Sequence, residues 1–307
     1  MTQWTRWISL ASASLIVLMS VGCHQERNES IRLMNAGVKL AQQGQIEPAL
    51  AKLVRASTVD PTNHRAFFNQ GIILQKRKRF NEAEIAFQSA VKGSPERGEY
   101  LYQLGMVLHE MKAYAKAIPV LKKSSEVRPN HGETWLRLGE CQMATEAFDA
   151  AQDTLIRAIE LKPLLPKTYL NLARLYADFR QFPHAIQTYK TGIDVLSAAK
   201  DKGYKTRELD GVILALHQDL GAVYRRMERN EQAIEVLTAA RKLKKNEPTT
   251  LFNLGMILKE IEGREAEAGT ILKKYISLSG ASQTPWRKRA AEEAYDKIKA
   301  RAVPHKK

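Results

Sequence analysis

The sequence predicts an all-α fold, a solenoid in which antiparallel helix pairs stack one on another. Three kinds of small or helix-breaking residue recur with a period of thirty-four residues. They are Gly37, Gly71, Gly105 and Gly139; Ala49, Ala83, Ala117, Ala151 and Ala185; and Pro61, Pro95, Pro129 and Pro163. A repeat of this length is typical of solenoids, in which each unit can bury its apolar face only against its neighbours.

Each recurring residue has a physical reason for its place in a helix pair. Glycine and alanine are small, so the two helices can approach closely while larger apolar residues fill the remaining space. Proline lacks a backbone N–H and ends the second helix. One repeat shows the whole pattern: Phe67, Gly71, Leu74, Phe80, Ala83, Phe87, Ala90 and Pro95.

These residues resemble the tetratricopeptide repeat (TPR), which has the same period. The family pattern of large apolar residue, Leu-Gly, aromatic, Ala, Ala and Pro is followed by Trp135, Leu138, Gly139, Phe148, Ala151, Ala158 and Pro163. The resemblance implies a right-handed superhelical solenoid of antiparallel helix pairs, with the first helix of each repeat on the concave face.

The period divides the chain into repeats. We place five contiguous repeats over residues 30–199, at 30–63, 64–97, 98–131, 132–165 and 166–199. Residues 200–213 are an insertion, either a loop or a lengthening of the flanking helices, and the weak match of repeats six and seven suggests a subdomain boundary around 200–210. Repeats six and seven follow over 214–281, and residues 282–307 form a capping helix with a basic tail.

The N-terminus reads as a targeting segment. An apolar run from Trp7 to Val21 is too short for a typical membrane span but suits a signal peptide over residues 1–22. It ends in Ser20-Val21-Gly22-Cys23, which resembles the lipobox of bacterial lipoproteins. That resemblance implies a lipid on Cys23, a tether over 23–29 and export to the cell envelope. An ordinary cleaved signal and an uncleaved anchor remain alternatives. With His24 next, the family's sorting rule implies the outer membrane, facing the periplasm.

A partner-binding groove is predicted along the first helices. At the sixth position of the successive repeats stand Asn35, Asn69, Gln103, Arg137, Asn171, Asp219 and Asn253. They resemble the asparagine ladder of O-linked N-acetylglucosamine transferase, which holds the backbone of an extended peptide. The fifth and ninth positions add apolar side chains: Met34, Val38, Phe68, Ile72, Tyr102, Met106, Leu136 and Leu170. Alternatively, the amides hydrogen-bond between neighbouring helices, and the apolar side chains pack against a neighbouring helix or the N-terminal tail.

The chain is strongly basic, with a formal net charge of +15. The basic runs are Lys76–Arg79, Arg241–Lys245, Arg287–Arg289 and the tail His305–Lys307. Such charge attracts anionic envelope polymers, lipid headgroups or an acidic partner. Alternatively, the runs are solvated faces and helix C-termini. Nucleic acid is not expected as a partner, because no nucleic-acid-binding motif is present and the chain is predicted to be exported.

No residue pattern indicates catalysis, a cofactor or a metal. The seven histidines are scattered without ligand spacing, and motifs of hydrolases, phosphate loops and zinc enzymes do not occur. We therefore expect a non-enzymatic interaction scaffold of the cell envelope. It would bind a partner segment in the groove and assemble or hold a complex such as a pilus or secretion machine, as the pilotins do that this architecture resembles. The alternatives are an adaptor that recruits cell-wall enzymes to anionic polymers, and an enzyme or small-ligand carrier.

Overall fold

The computed structural model describes residues 24–278 and 284–302, and all regular secondary structure in these ranges is α-helical. The helices are α1 (24–42), α2 (Ile46–Val59), α3 (His64–Lys76), α4 (Phe80–Gly93), α5 (Gly98–Glu110), α6 (Tyr114–Val127), α7 (Gly132–Ala144), α8 (Phe148–Leu161), α9 (Pro166–Asp178), α10 (Phe182–Asp201), α11 (Leu209–Arg226), α12 (Asn230–Leu243), α13 (Pro248–Leu258), α14 (Glu265–Leu278) and α15 (Pro285–Ala302). None of the described helices combines the length and the apolar character needed to cross a membrane. Cys23 and the signal segment 1–22 lie outside the described residues.

The chain forms two compact units that divide between Ala147 and Phe148. Inside each unit, consecutive helices pack as antiparallel pairs. In the first unit, for example, Gly93 at the end of α4 lies against His64 at the start of α3. The predicted all-α solenoid of helix pairs is confirmed.

The first helices of neighbouring repeats also contact each other. In the first unit α3 contacts α5 and α5 contacts α7, and in the second unit α9, α11, α13 and α15 form a similar series. The second helices, such as α4 and α6, have no such contacts among the described residues. Within each unit, the first helices therefore form the more crowded inner layer.

The subdomain boundary expected around residues 200–210 is wrong. The extra residues lengthen both flanking helices, so α10 has 20 residues and α11 has 18. Helix α11 packs against α9, α10 and α13, and the side chains of Leu196 and Leu216 are fully buried on either side of the 202–208 loop. These contacts make residues 200–210 part of the second compact unit.

Glycine at the eighth repeat position allows the close approach within a pair. A Cβ on Gly71 would lie 2.5 Å from Cε1 of Phe87, which is fully buried. The same contact recurs between Gly37 and Leu53, Gly105 and Leu121, Gly221 and Leu237, and Gly255 and Leu272. In the last pair the sequence separation is one residue greater, as the insertion near Gly263 requires. The opposing alanines are fully buried: Ala49, Ala83, Ala117, Ala151, Ala185, Ala233 and Ala268.

The turn inside each repeat has a left-handed residue that the sequence did not reveal. Lys112 has φ of 59°, its N–H bonds to the carbonyl of His109, and the N–H of Ala113 bonds to that of Leu108. This is the Schellman motif, which ends many helices and favours glycine at the left-handed position. The equivalent residues are Gly44, Lys78, Glu146, Arg180 and Glu228, and Gly263 has a positive φ in the turn of repeat seven. Only the two glycines have the expected residue type, so the others carry local strain.

Replacing Gly71 with alanine is expected to lower the free energy of unfolding by about 1–3 kcal/mol, because the new methyl group must displace the buried Phe87 ring. The measurement is denaturant-induced loss of helical circular dichroism. Gly211→Ala is the control, since Gly211 lies in α11 with open space around it. That variant should gain roughly 0.5–1 kcal/mol from helix propensity. Equal stability of wild type and Gly71→Ala would contradict the packing role.

Replacing Lys112 with glycine is expected to raise the free energy of unfolding by about 0.5–1 kcal/mol. Relief of left-handed strain exceeds the greater chain entropy of glycine in the unfolded state. Lys122→Gly, in the exposed part of α6, is the matched control and should cost about 1 kcal/mol. Unfolding curves in denaturant compare the two variants, and a destabilised Lys112→Gly would show that the turn carries no strain.

Candidate partner-binding surface on the first helices

Three of the predicted groove residues are not available to a ligand. Met34, Leu136 and Leu170 have only 4%, 6% and 8% of their surface exposed. Met34 belongs to the apolar core of the first unit, with Leu50 and Leu53. The prediction that these three side chains line an exposed groove is wrong, because each of them is buried.

The other predicted residues of the first unit keep exposed surface on α1, α3, α5 and α7. Asn35 is exposed, and the following are partly buried: Val38, Phe68, Asn69, Ile72, Tyr102, Gln103, Met106 and Arg137. We call Phe68, Asn69, Ile72, Tyr102, Gln103 and Met106, on the neighbouring helices α3 and α5, the amide–aromatic surface. In the second unit, Asn171 is partly buried on α9.

The aromatic side chains of this surface are held in place from below. The ring of Phe68 stacks on the buried Tyr100 at 4.5 Å between centroids and lies 5.7 Å from Phe87. The hydroxyl of Tyr100 is in turn within 2.9 Å of Nδ1 of His64. Phe68 therefore offers a fixed edge to a partner, at little cost in side-chain entropy.

Tyr102 is fixed in a similar way on α5. Its ring makes an edge-to-face contact with His131, with 4.9 Å between centroids. Burial raises the pKa of Tyr102, so the hydroxyl stays neutral and can donate a hydrogen bond over the whole physiological range.

Arg137 is not a free cation, because it belongs to a partly buried ion network. Its guanidinium donates to Oε2 of Glu140 at 2.7 Å, and Nε2 of His109 lies 3.2 Å from the same oxygen. Burial alone would raise the pKa of Glu140, but the hydrogen bonds from His109 and Arg137 and the positive charge of Arg137 outweigh it and lower this pKa to about 2. Glu140 was not predicted from the sequence, although its spacing of three residues from Arg137 was a usable signal.

The sixth-position side chains divide into three that have a partner and four amides that have none among the described residues. Asp219 accepts a hydrogen bond from Arg174 at 2.6 Å, as Glu140 does from Arg137, and Asn171 makes an interaction of its own. The side-chain amides of Asn35, Asn69, Gln103 and Asn253 make no hydrogen bond to any residue in 24–278 or 284–302. The alternative that these four amides join neighbouring helices is therefore not seen.

An open cleft of about 620 Å³ lies at one end of the amide–aromatic surface. It is lined by Glu96, Arg97, Gly98, Glu99, Tyr102, Gln103, Arg128 and His131. Charges of both signs surround the Tyr102 ring and the Gln103 amide, so the cleft offers an aromatic contact and hydrogen bonds to a polar backbone. The described residues include no group of three or more His, Cys, Asp or Glu that could hold a metal ion.

Comparison with known proteins identifies the repeats. Two family models described as tetratricopeptide repeat match residues 35–97 and 108–167. A search of curated proteins finds no match.

Several solved structures share the fold. A tetratricopeptide repeat protein from Parabacteroides merdae is 16% identical with a TM-score of 0.57, over 89% of this chain and 99% of that one. Pseudomonas aeruginosa PilF is 18% identical with a TM-score of 0.53, over 74% and 96%. YrrB is 23% identical with a TM-score of 0.52, over 58% and 91%. With its thirty-four-residue period and its stacked helix pairs, the chain belongs to the tetratricopeptide-repeat family.

Proposed function

We propose that this protein is an interaction scaffold that binds an extended segment of a partner protein on the amide–aromatic surface. The repeat fold supports a role in protein–protein interaction. This proposal rests on the four sixth-position amides that have no hydrogen-bond partner among the described residues, of which Asn69 and Gln103 lie beside the fixed rings of Phe68 and Tyr102. Asn69 and Gln103 each offer a donor and an acceptor, the two groups that a peptide unit requires.

The spacing of the two helices suits an extended peptide. Helices in contact lie about 8–10 Å apart, so Asn69 on α3 and Gln103 on α5 stand about three extended residues apart. Between the amides, Phe68 with Ile72 and Tyr102 with Met106 provide apolar contacts for side chains of the peptide. The backbone would thus be held regardless of sequence, while these apolar positions would select among partners.

One structural neighbour supports this kind of ligand. YrrB is described as a TPR protein with an unusual peptide-binding site. Its likeness to this chain is one of fold, so the peptide site here rests on the side chains of this chain.

The envelope location completes the proposal. A lipid on Cys23 would hold the solenoid at the membrane, since about seven residues of tether span at most roughly 25 Å. From that position the protein would assemble or hold a multiprotein complex, such as a pilus or secretion machine. PilF of Pseudomonas aeruginosa shares the repeat fold with this chain.

Loss of the two amides should weaken peptide binding. We expect peptides selected on the wild-type chain from a random phage-displayed library to bind Asn69→Ala/Gln103→Ala about tenfold to a hundredfold more weakly, since each amide contributes hydrogen bonds of roughly 1 kcal/mol. Fluorescence anisotropy of the labelled peptides measures the affinities.

The matched control is Asn81→Ala/Gln88→Ala, which removes two exposed amides from α4 in the same unit. This control should bind like the wild type. If both double variants bind equally well, or if the control is the weaker, the amide–aromatic surface is not the binding site.

Lipidation at Cys23 makes a separate prediction. In a bacterial host fed labelled palmitate, the wild-type chain and Cys141→Ala should carry label and sediment with membranes, whereas Cys23→Ala should carry none. Cys141 is the matched control because it is a buried thiol of the repeat core. An unlabelled, soluble wild type would indicate an ordinary cleaved signal. Unlabelled protein that stays in membranes would indicate an uncleaved anchor.

A further inference from the structure

One edge of the second unit is strongly basic. It consists of residues 200–207, at the end of α10 and in the following loop, and residues 242–245, at the end of α12, and we call it the basic edge. Together these segments contain seven lysines and arginines and one carboxylate. They adjoin each other, because Lys200, Leu243 and Lys244 line one cleft of about 360 Å³.

Most of these cations have no anionic partner. Lys200 pairs with Asp210 at 2.8 Å, and the nearby Glu208 is taken by Lys167 at 2.9 Å. The remaining six form no ion pair within the described part of the chain: Lys202, Lys205, Arg207, Lys242, Lys244 and Lys245. Exposed like charges at such density repel one another unless an external anion neutralises them.

Exposed apolar side chains lie at the same edge. Leu243 is 48% exposed at the end of α12, and Trp286 is 61% exposed in the first turn of α15. The Trp286 ring lies 5.9 Å from that of Phe252, in α13, whose N-terminus follows Leu243 by a short loop. Leu243 and Trp286 therefore flank the start of α13, with lysines beside one and Arg287 over the face of the other.

The opposite edge of the same unit has the reverse charge. The turns at residues 227–231 and 259–267 contain six carboxylates and three cations. The short loops of antiparallel helix pairs place these turns at the other end of the helices. An anionic surface would thus attract one edge of the second unit and repel the other, which gives the unit a preferred orientation.

From this arrangement we propose that the basic edge docks onto an anionic phospholipid bilayer, with Trp286 and Leu243 entering the headgroup region. Lysines and arginines near a membrane bind acidic headgroups, and tryptophan prefers the interface between headgroups and acyl chains. A soluble polyanion would use the cations but would leave the two apolar side chains without a role. The inference goes beyond the peptide-binding proposal, and neither depends on the other.

The test follows Trp286 in the full chain, with Trp4, Trp7 and Trp135 changed to Phe so that Trp286 is the sole tryptophan. Vesicles of phosphatidylglycerol with brominated phosphatidylcholine should quench its fluorescence. Brominated phosphatidylcholine alone should not, and about 1 M salt, which screens charges beyond roughly 3 Å, should abolish the quenching. If this variant does not keep the wild-type melting curve, the difference between wild type and Trp286→Phe supplies the same signal.

A matched pair of charge variants completes the test. Lys242→Ala/Lys244→Ala/Lys245→Ala should lose the quenching, whereas Arg180→Ala/Arg229→Ala/Lys259→Ala, with the same loss of charge at the opposite edge, should keep it. Equal quenching by neutral vesicles, or quenching that survives in the first variant, would overturn the proposal. So would binding of poly-glutamate without any quenching by anionic vesicles, which would assign the edge to a soluble polyanion.

Discussion

The contact between a glycine on the first helix and a large side chain on the second is the constraint on which the rest of the structure depends. At Gly71 the ring of Phe87 occupies the space that any Cβ would need. Because this contact recurs at the same register in five helix pairs, these pairs pack alike and can stack in a regular series. The stacking then brings first helices together, α3 against α5 and α5 against α7, in the inner layer of the first unit.

That inner layer determines which side chains a partner can reach. One side of each first helix is used by the glycine contact, and the fifth position is buried in several repeats, as Met34 shows. The sixth position is left facing outward on a rigid helix. Asn69 and Gln103 therefore repeat with the spacing of the helices themselves, and the fixed rings of Phe68 and Tyr102 stand beside them. A regular row of amides along the first helices therefore follows from this packing.

The periodicity was sufficient to predict the fold class, because close packing within each helix pair requires small residues at fixed positions. Glycine and alanine at those positions are visible in the sequence itself. It could not predict which groove residues would be exposed, since burial of Leu136 or Leu170 depends on how neighbouring helices lie. It also missed the left-handed turn residues, because Lys112 and Arg180 occupy a position where glycine would have been the signal. The contact between His109 and Glu140 joins two helices, so no local pattern contains it, whereas the spacing of three residues between Arg137 and Glu140 was a usable local signal.

Residues that depart from the repeat pattern can acquire a specific function, because the packing of the helix pairs does not determine them. The consensus glycines, alanines and large apolar residues are buried in contacts between helices, so they carry no information about a partner. The fourteen additional residues between repeats five and six are different, because they lengthen α10 and α11 without adding a repeat. Their lysines project at an edge that packing does not constrain, beside the end of α12. The same architecture thus separates two kinds of surface, amides repeated along the inner helices and charge gathered at the ends of the outer ones.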